Sequence, residues 1–150
     1  MNSTTRVGSL LDRKGRAVWS IGPDSSVFHA IAMMSERGVG ALLVMENGAL
    51  VGIISERDYM RKVILQGRLS KATAVMEIMT SPVVTISERA TIGECMRLMT
   101  DERIRHLPVV GGDGSVVGVV SIGDLVKEII TEQEEQIHQL HQFIAAEYPR

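Results

Sequence analysis

The chain has 150 residues, a formal net charge of -2, 45% apolar residues and only 3% aromatic residues. This length suits one domain or two fused half-domains, and the charge and the few aromatic side chains argue against nucleic acid as a partner. A single cysteine, Cys95, excludes a disulfide framework, and the scattered histidines offer no metal site. No apolar run approaches the roughly 18 residues that span a bilayer. We therefore expect a cytoplasmic protein without a membrane partner.

Two copies of one pattern follow each other along the chain. At an offset of 65 residues Val18 aligns with Val83, and after one inserted residue the offset becomes 66 and Asp58 aligns with Asp124. The insertion falls inside a hairpin turn, where insertions are tolerated best. The chain is therefore predicted to be a duplicated unit.

Each copy predicts a strand, a helix, two strands and a second helix. Apolar residues three or four apart, such as Val27, Ile31 and Met34, predict the first helix of a copy. Asn47-Gly48 between two apolar runs predicts a hairpin, because both residues tolerate the positive φ of a tight turn. The predicted strands are 18–21, 41–45 and 50–55 in the first copy and 83–86, 107–110 and 116–121 in the second.

These elements predict an α+β fold. Neither β-α-β-β-α unit can cover its own sheet, so we expect the two to pack sheet against sheet around a pseudo-two-fold axis, with the helices outside. Residues 74–79 predict a short helix in the connection. We divide the chain into an N-terminal segment (1–17), a first repeat (18–64), a linker (65–82), a second repeat (83–131) and a C-terminal helical extension (132–150).

A long C-terminal helix is predicted from Ser121 to about Ala146. It carries a heptad stripe, whose positions are four and three residues apart in alternation: Val126, Ile130, Gln133, Ile137, Leu140 and Ile144. The stripe packs either on the chain's own domain or on a partner helix. The second alternative predicts a homodimer.

A short motif, Gly-apolar-apolar-Ser-x-x-Asp, occurs at residues 52–58 and again at 118–124. It places a hydroxyl at the end of a strand and a carboxylate on the first turn of the next helix, where unpaired backbone N–H groups favour an anion such as phosphate. The carboxylate can accept hydrogen bonds from two vicinal hydroxyls, so the motif suits a nucleotide. The alternative is a capping box, in which the serine caps the helix and the aspartate reaches back to the backbone.

Both copies of the motif resemble the signature of nucleotide-binding cystathionine-β-synthase (CBS) repeats. The chain is similar to the short bacterial proteins that consist of one such pair, called a Bateman module, over about residues 14 to 131. The resemblance implies a non-catalytic signal-transduction module that requires no cofactor, binds AMP, ADP, ATP or NAD(H) between its repeats, and acts on an unknown effector protein. The alternative is a dimerisation or interaction module whose clefts stay empty.

Carried over by position, the resemblance implies two clefts. The first would use Ser55, Arg57 and Asp58, with Thr80, Val83 and Ile104 from the other copy. The second would use Ser121 and Asp124, with Val18 and Val39, and with Arg105 and His106 facing the phosphates. Arg103, Arg105 and Lys14 together could neutralise a di- or triphosphate. Because Gly123 replaces Arg57 in the second motif, we expect unequal affinities or different ligands.

Overall fold

Two three-stranded sheets, each with its own helices, form the fold in the computed structural model, which describes residues 4–147. The outer ends of the predicted N-terminal segment and C-terminal extension, residues 1–3 and 148–150, lie outside the described residues. The elements in chain order are α1 (Val7–Lys14), β1 (Ser20–Ile21), α2 (Val27–Arg37), β2 (Ala41–Glu46), β3 (Ala49–Ser55), α3 (Glu56–Tyr59) continued by a π-helical turn (Met60–Ile64), two 3-10 turns (Ser70–Ala72 and Val75–Glu77), β4 (Ile86–Ser87), α4 (Ile92–Glu102), β5 (His106–Val110), β6 (Val116–Ser121) and α5 (Ile122–Glu147).

The predicted order of strand, helix, strand, strand and helix is confirmed in both repeats. In each sheet the first strand runs parallel to the second, and the second and third form an antiparallel hairpin. Asn47 and Gly48 turn the first hairpin with φ angles of 52° and 78°. The first strand of each repeat is only two residues long and starts later than predicted, because only Ser20–Ile21 and Ile86–Ser87 pair with their neighbours.

Helix α1 packs on the second repeat, although it precedes the first. Val7, Leu10 and Leu11 are at most 3% exposed and belong to the apolar core of the second repeat. The backbone N–H of Val7 donates to the carbonyl of Ala90 at 2.8 Å. A Cβ at Gly118 would lie 2.8 Å from the Leu11 side chain, so the glycine makes room for the helix. The N-terminal segment is therefore part of the second repeat's core.

The linker makes the matching contact with the first repeat. Ile78 is 1% exposed and lies in the first repeat's core, and Thr80 exchanges two backbone hydrogen bonds with Ile53, at 2.9 and 3.1 Å. A Cβ at Gly52 would overlap the side chain of Met79. The N-terminal segment, which precedes the first repeat, thus packs on the second, and the linker, which precedes the second repeat, packs on the first. These contacts interlock the two repeats.

Helix α5 leaves the domain halfway along its 26 residues. Leu125 and Ile129 lie in the second core, and Glu128 pairs with Arg13 of α1. Beyond Glu132 the side chains are exposed as far as the burial is described, to residue 146. The apolar members of the heptad stripe are 43–57% exposed: Val126, Ile130, Ile137, Leu140 and Ile144. Among the helices within residues 4–147, none has the length and apolarity that crossing a membrane requires.

Candidate functional site

Two clefts open between the repeats, one at each Ser-x-x-Asp motif. Each has a volume of about 390 Å³. The motif of one repeat forms one side of a cleft, and residues of the other repeat form the opposite side. We call the cleft at Asp58 the first cleft and the cleft at Asp124 the second cleft.

Both motifs form the hydrogen bonds of a helix cap. Ser55 Oγ accepts from the Asp58 N–H at 3.2 Å, and Asp58 Oδ2 accepts from Ser55 N at 2.9 Å. The second motif repeats this pattern, with Ser121 N donating to Asp124 Oδ2 at 2.8 Å. The cap uses Oδ2 of each carboxylate. Capping and ligand binding, which the sequence presents as alternatives, are therefore compatible.

Cationic side chains surround the first cleft. Lys62 Nζ lies 3.2 Å from Asp58 Oδ1, and Thr80 Oγ1 donates to the same oxygen at 3.5 Å. Arg57 Nη1 donates to the carbonyl of Arg103 at 3.2 Å. Two carboxylates, those of Glu56 and Asp58, face five permanent positive charges: Arg57, Arg61, Lys62, Arg103 and Arg105. This excess favours a ligand with more than one negative charge.

The second cleft has no net charge, because its one permanent cation, Lys14, is compensated by the carboxylate of Asp124. Lys14 Nζ donates to Asp124 Oδ2 at 2.7 Å and to the carbonyl of Val119 at 2.8 Å. Burial alone would raise the pKa of Asp124, but hydrogen bonds from Lys14 and the Ser121 backbone outweigh it and hold this pKa below its usual value. Asp124 is therefore an ionised acceptor at neutral pH.

An indole ring also lines the second cleft. Trp19 is 36% exposed, and the guanidinium of Arg37 lies 4.2 Å from the centre of its ring. A flat apolar surface at this position can pack against the face of a base.

His106 lines both clefts, as do Gly40 and Ile53. Burial lowers the pKa of the His106 imidazole, although Asp124 and Glu56 oppose this effect by favouring the protonated form. His106 is therefore neutral at physiological pH in the unliganded protein.

The structure gathers most of the predicted site residues around the two clefts. The first cleft contains Ser55, Arg57, Asp58, Thr80 and Ile104. The second cleft contains Val39, His106, Ser121 and Asp124. The cations Arg61 and Lys62 were not predicted; Lys62 is four residues after Asp58, a helical spacing that indicates an ion pair.

Two predicted residues are displaced by their neighbours. Trp19 lines the second cleft in place of Val18, and Val84 lines the first in place of Val83. Successive side chains of an extended segment point to opposite sides, so an error of one residue selects the wrong side chain. The same shift of one residue occurs in both copies, because Val18 and Val83 are equivalent positions at the offset of 65 residues.

The position of Arg105 is also corrected. It lines the first cleft and not the second, for which it was predicted. Arg105 is exposed and His106 is half-buried, since consecutive residues entering β5 point to different sides. The three cations predicted to neutralise one polyphosphate are consequently divided, with Arg103 and Arg105 at the first cleft and Lys14 at the second.

Comparison with known proteins relates both repeats to one family. The family model described as CBS domain matches residues 12–65 and 75–131. The chain is 39% identical over 155 residues to the CBS domain-containing protein CBSX3, mitochondrial, of Arabidopsis thaliana, covering 97% of this chain and 74% of that protein. The solved CBS domain of NE2398 is 49% identical, with a TM-score of 0.80 over 84% of this chain and 98% of that one.

A further solved structure contains ligands. The CBS domain pair of protein MJ0100, in complex with 5′-methylthioadenosine and S-adenosyl-L-methionine, is 25% identical, with a TM-score of 0.76 over 86% of this chain and 98% of that one. The two matched ranges of the family model include both Ser-x-x-Asp motifs, at each of which one cleft lies. The chain belongs to the CBS-domain family, as a tandem pair of CBS domains.

Proposed function

We propose that this CBS pair is a non-catalytic regulatory module that binds adenine nucleotides in its two clefts and transmits their occupancy to an effector protein. The supporting observation is that each cleft combines a capped carboxylate from one repeat with a cationic side chain and with apolar residues from the other repeat. A carboxylate suits the two hydroxyls of a ribose, cations suit phosphate, and the apolar walls suit a base. The MJ0100 pair contains two ligands that share an adenosine group.

The clefts are proposed to differ in ligand. The five permanent positive charges of the first cleft suit a di- or triphosphate or a pyrophosphate, as in ADP, ATP or NAD(H). The second cleft, with Lys14 and a neutral His106, suits AMP. S-adenosyl-L-methionine carries a positive sulfonium group, which the arginines of the first cleft disfavour.

Titration of nucleotide-stripped protein tests the proposed function. We expect saturable binding of AMP, ATP and NAD⁺ by calorimetry, and at least tenfold weaker binding of adenosine, because a charge-assisted hydrogen bond to phosphate contributes about 1.5–3 kcal/mol. Trp19 is the chain's single tryptophan and lines the second cleft, so its fluorescence reports occupancy there. GMP is the control for the base. Folded protein that binds none of the adenine nucleotides would overturn the proposal.

We also propose that the module is non-catalytic, and the chain's one thiol is consistent with this. Burial raises the pKa of Cys95 to about 12, so the thiol stays protonated and unreactive at neutral pH. Turnover of a nucleotide by purified protein, lost in a cleft variant, would contradict this part of the proposal.

Self-association is a second candidate function, supported by the exposed heptad stripe. The stripe runs from Val126 to Ile144, about 27 Å along α5. At an offset of 66 residues, Met60 and Ile64 of the first repeat correspond to Val126 and Ile130, and they are 51% and 53% exposed. Related apolar surfaces on both repeats suit the isologous contact of a homodimer.

Replacing Ile137 and Ile144 together with glutamine is expected to dissociate the homodimer. Two copies would lose four buried side chains, each contributing about 1.5–3 kcal/mol, so the dissociation constant should rise at least about 10,000-fold. Light scattering over a concentration series measures it. Ala145→Gln, beside the stripe on the same helix, is the control. Wild-type protein that stays monomeric at high concentration would exclude the homodimer.

A further inference from the structure

One ionisable side chain lines both clefts. His106, Gly40 and Ile53 line both, and of these three residues His106 alone can carry a charge. A Cβ at Gly40 would lie 3.1 Å from Nε2 and 3.2 Å from Cε1 of His106, so the ring occupies space that a side chain at Gly40 would need. An imidazole has a nitrogen on each side of Cε1. It is therefore suited to contact groups in two cavities.

Charged groups from both clefts act on this imidazole. Asp124 of α5 and Lys14 of α1 belong to the second cleft, and Glu56 of α3 and Arg105, just before β5, belong to the first. The two carboxylates favour the protonated ring, whereas burial and the two cations favour the neutral ring. The net effect lowers the pKa of His106. A phosphate in either cleft adds negative charge and favours protonation.

The number of donors on the ring depends on its protonation. A neutral imidazole has one N–H, so it can donate to an anion in only one cleft, whereas an imidazolium donates from both nitrogens. At low pH a phosphate in one cleft stabilises the imidazolium, which can then donate to a phosphate in the other. At high pH the single N–H is available to one phosphate only.

We propose that His106 is a phosphate-binding residue shared by both clefts, so that an anionic ligand in one cleft strengthens binding in the other when the ring is protonated. This inference rests on the proposed nucleotide-binding function and adds to it a dependence of one site on the other. The coupling is reciprocal, and it should increase as the pH falls from 8 towards 6.

A double-mutant cycle between Asp58→Asn and His106→Gln tests the coupling. Asp58→Asn removes the carboxylate of the first cleft. Asp58 is not among the charged groups that act on His106, so the substitution leaves the charges around the imidazole unchanged. The AMP affinity of the second cleft is measured by Trp19 fluorescence at pH 6.0 and pH 8.0, with ATP present at a concentration that fills the first cleft of the wild type. At pH 6.0 we expect Asp58→Asn to weaken it about fivefold, and at pH 8.0 to leave it unchanged. With His106→Gln, Asp58→Asn should have no effect at either pH.

Each variant is compared with the wild type at the same pH, so the protonation state of AMP is the same in both titrations. His138→Gln, on the exposed part of α5, removes a histidine away from the clefts and should retain the fivefold effect. His106→Asn replaces His106→Gln if circular dichroism shows that the latter is unfolded. Absence of AMP binding in every variant would overturn the proposed function. Binding in both clefts, with second-cleft affinity insensitive to Asp58→Asn at pH 6.0 or equally sensitive in His106→Gln, would overturn the coupling alone.

Discussion

Asp58→Asn is expected to weaken nucleotide binding in the first cleft by about 10- to 150-fold. The substitution replaces a charged acceptor of the ribose hydroxyls with an amide, and a hydrogen bond to a charged group contributes about 1.5–3 kcal/mol. The amide oxygen can still accept from Ser55 N, as Oδ2 does at 2.9 Å, so the helix cap is retained. The surface ion pair with Lys62 is also lost, at a cost to stability of at most about 1 kcal/mol. Binding should therefore change much more than folding.

Calorimetric titration of ATP and thermal unfolding of the same samples separate these two effects. Asp113→Asn is the matched control, because Asp113 also accepts from a serine, Ser115, but lies in the exposed turn between β5 and β6. Asp124→Asn should spare the first cleft and remove the change in Trp19 fluorescence. If Asp58→Asn binds ATP as tightly as the wild type, Asp58 only caps its helix, and the assembly module becomes the better interpretation.

The duplicated architecture was predictable because its signals are local. The helical spacing of Val27, Ile31 and Met34 and the Asn47-Gly48 turn each depend on a few neighbouring residues, and both copies repeat such patterns at an offset of 65 and then 66 residues. The two carboxylates of the clefts were found for the same reason, since the hydrogen bonds that position Asp58 and Asp124 come from serines three residues earlier. Short-range hydrogen bonds leave a pattern in the sequence.

Features that depend on the packing of distant segments were missed. Val7, Leu10 and Leu11 have helical spacing, but a helix of eight residues is marginal alone, and α1 is stabilised by a core formed about 80 to 120 residues later. Trp19 and Val84 were missed because the sequence alone does not show which side of an extended segment faces a cleft. Arg105 was placed in the wrong cleft for this reason.

Leu11→Ala is expected to lower the free energy of unfolding by about 3 kcal/mol, within the usual range for a buried leucine. Leu11 is fully buried, and its side chain lies against Gly118 in the core of the second repeat. Loss of this contact loosens α1 at the end that carries Lys14, whose ammonium pairs with Asp124. The substitution should therefore also weaken AMP binding in the second cleft more than ATP binding in the first.

Urea unfolding measures the stability change, and the fluorescence of Trp19 during AMP titration measures the second cleft. Leu65→Ala is the control, because that leucine is 70% exposed and its loss should change stability by less than about 0.5 kcal/mol. A change equally small for Leu11→Ala would mean that α1 does not belong to the second core. A large loss of stability with unchanged binding at low temperature would mean instead that the helix supports the fold without positioning Lys14. The expected combination, lower stability together with a selective loss in the second cleft, would show that the crossing N-terminal helix contributes to both.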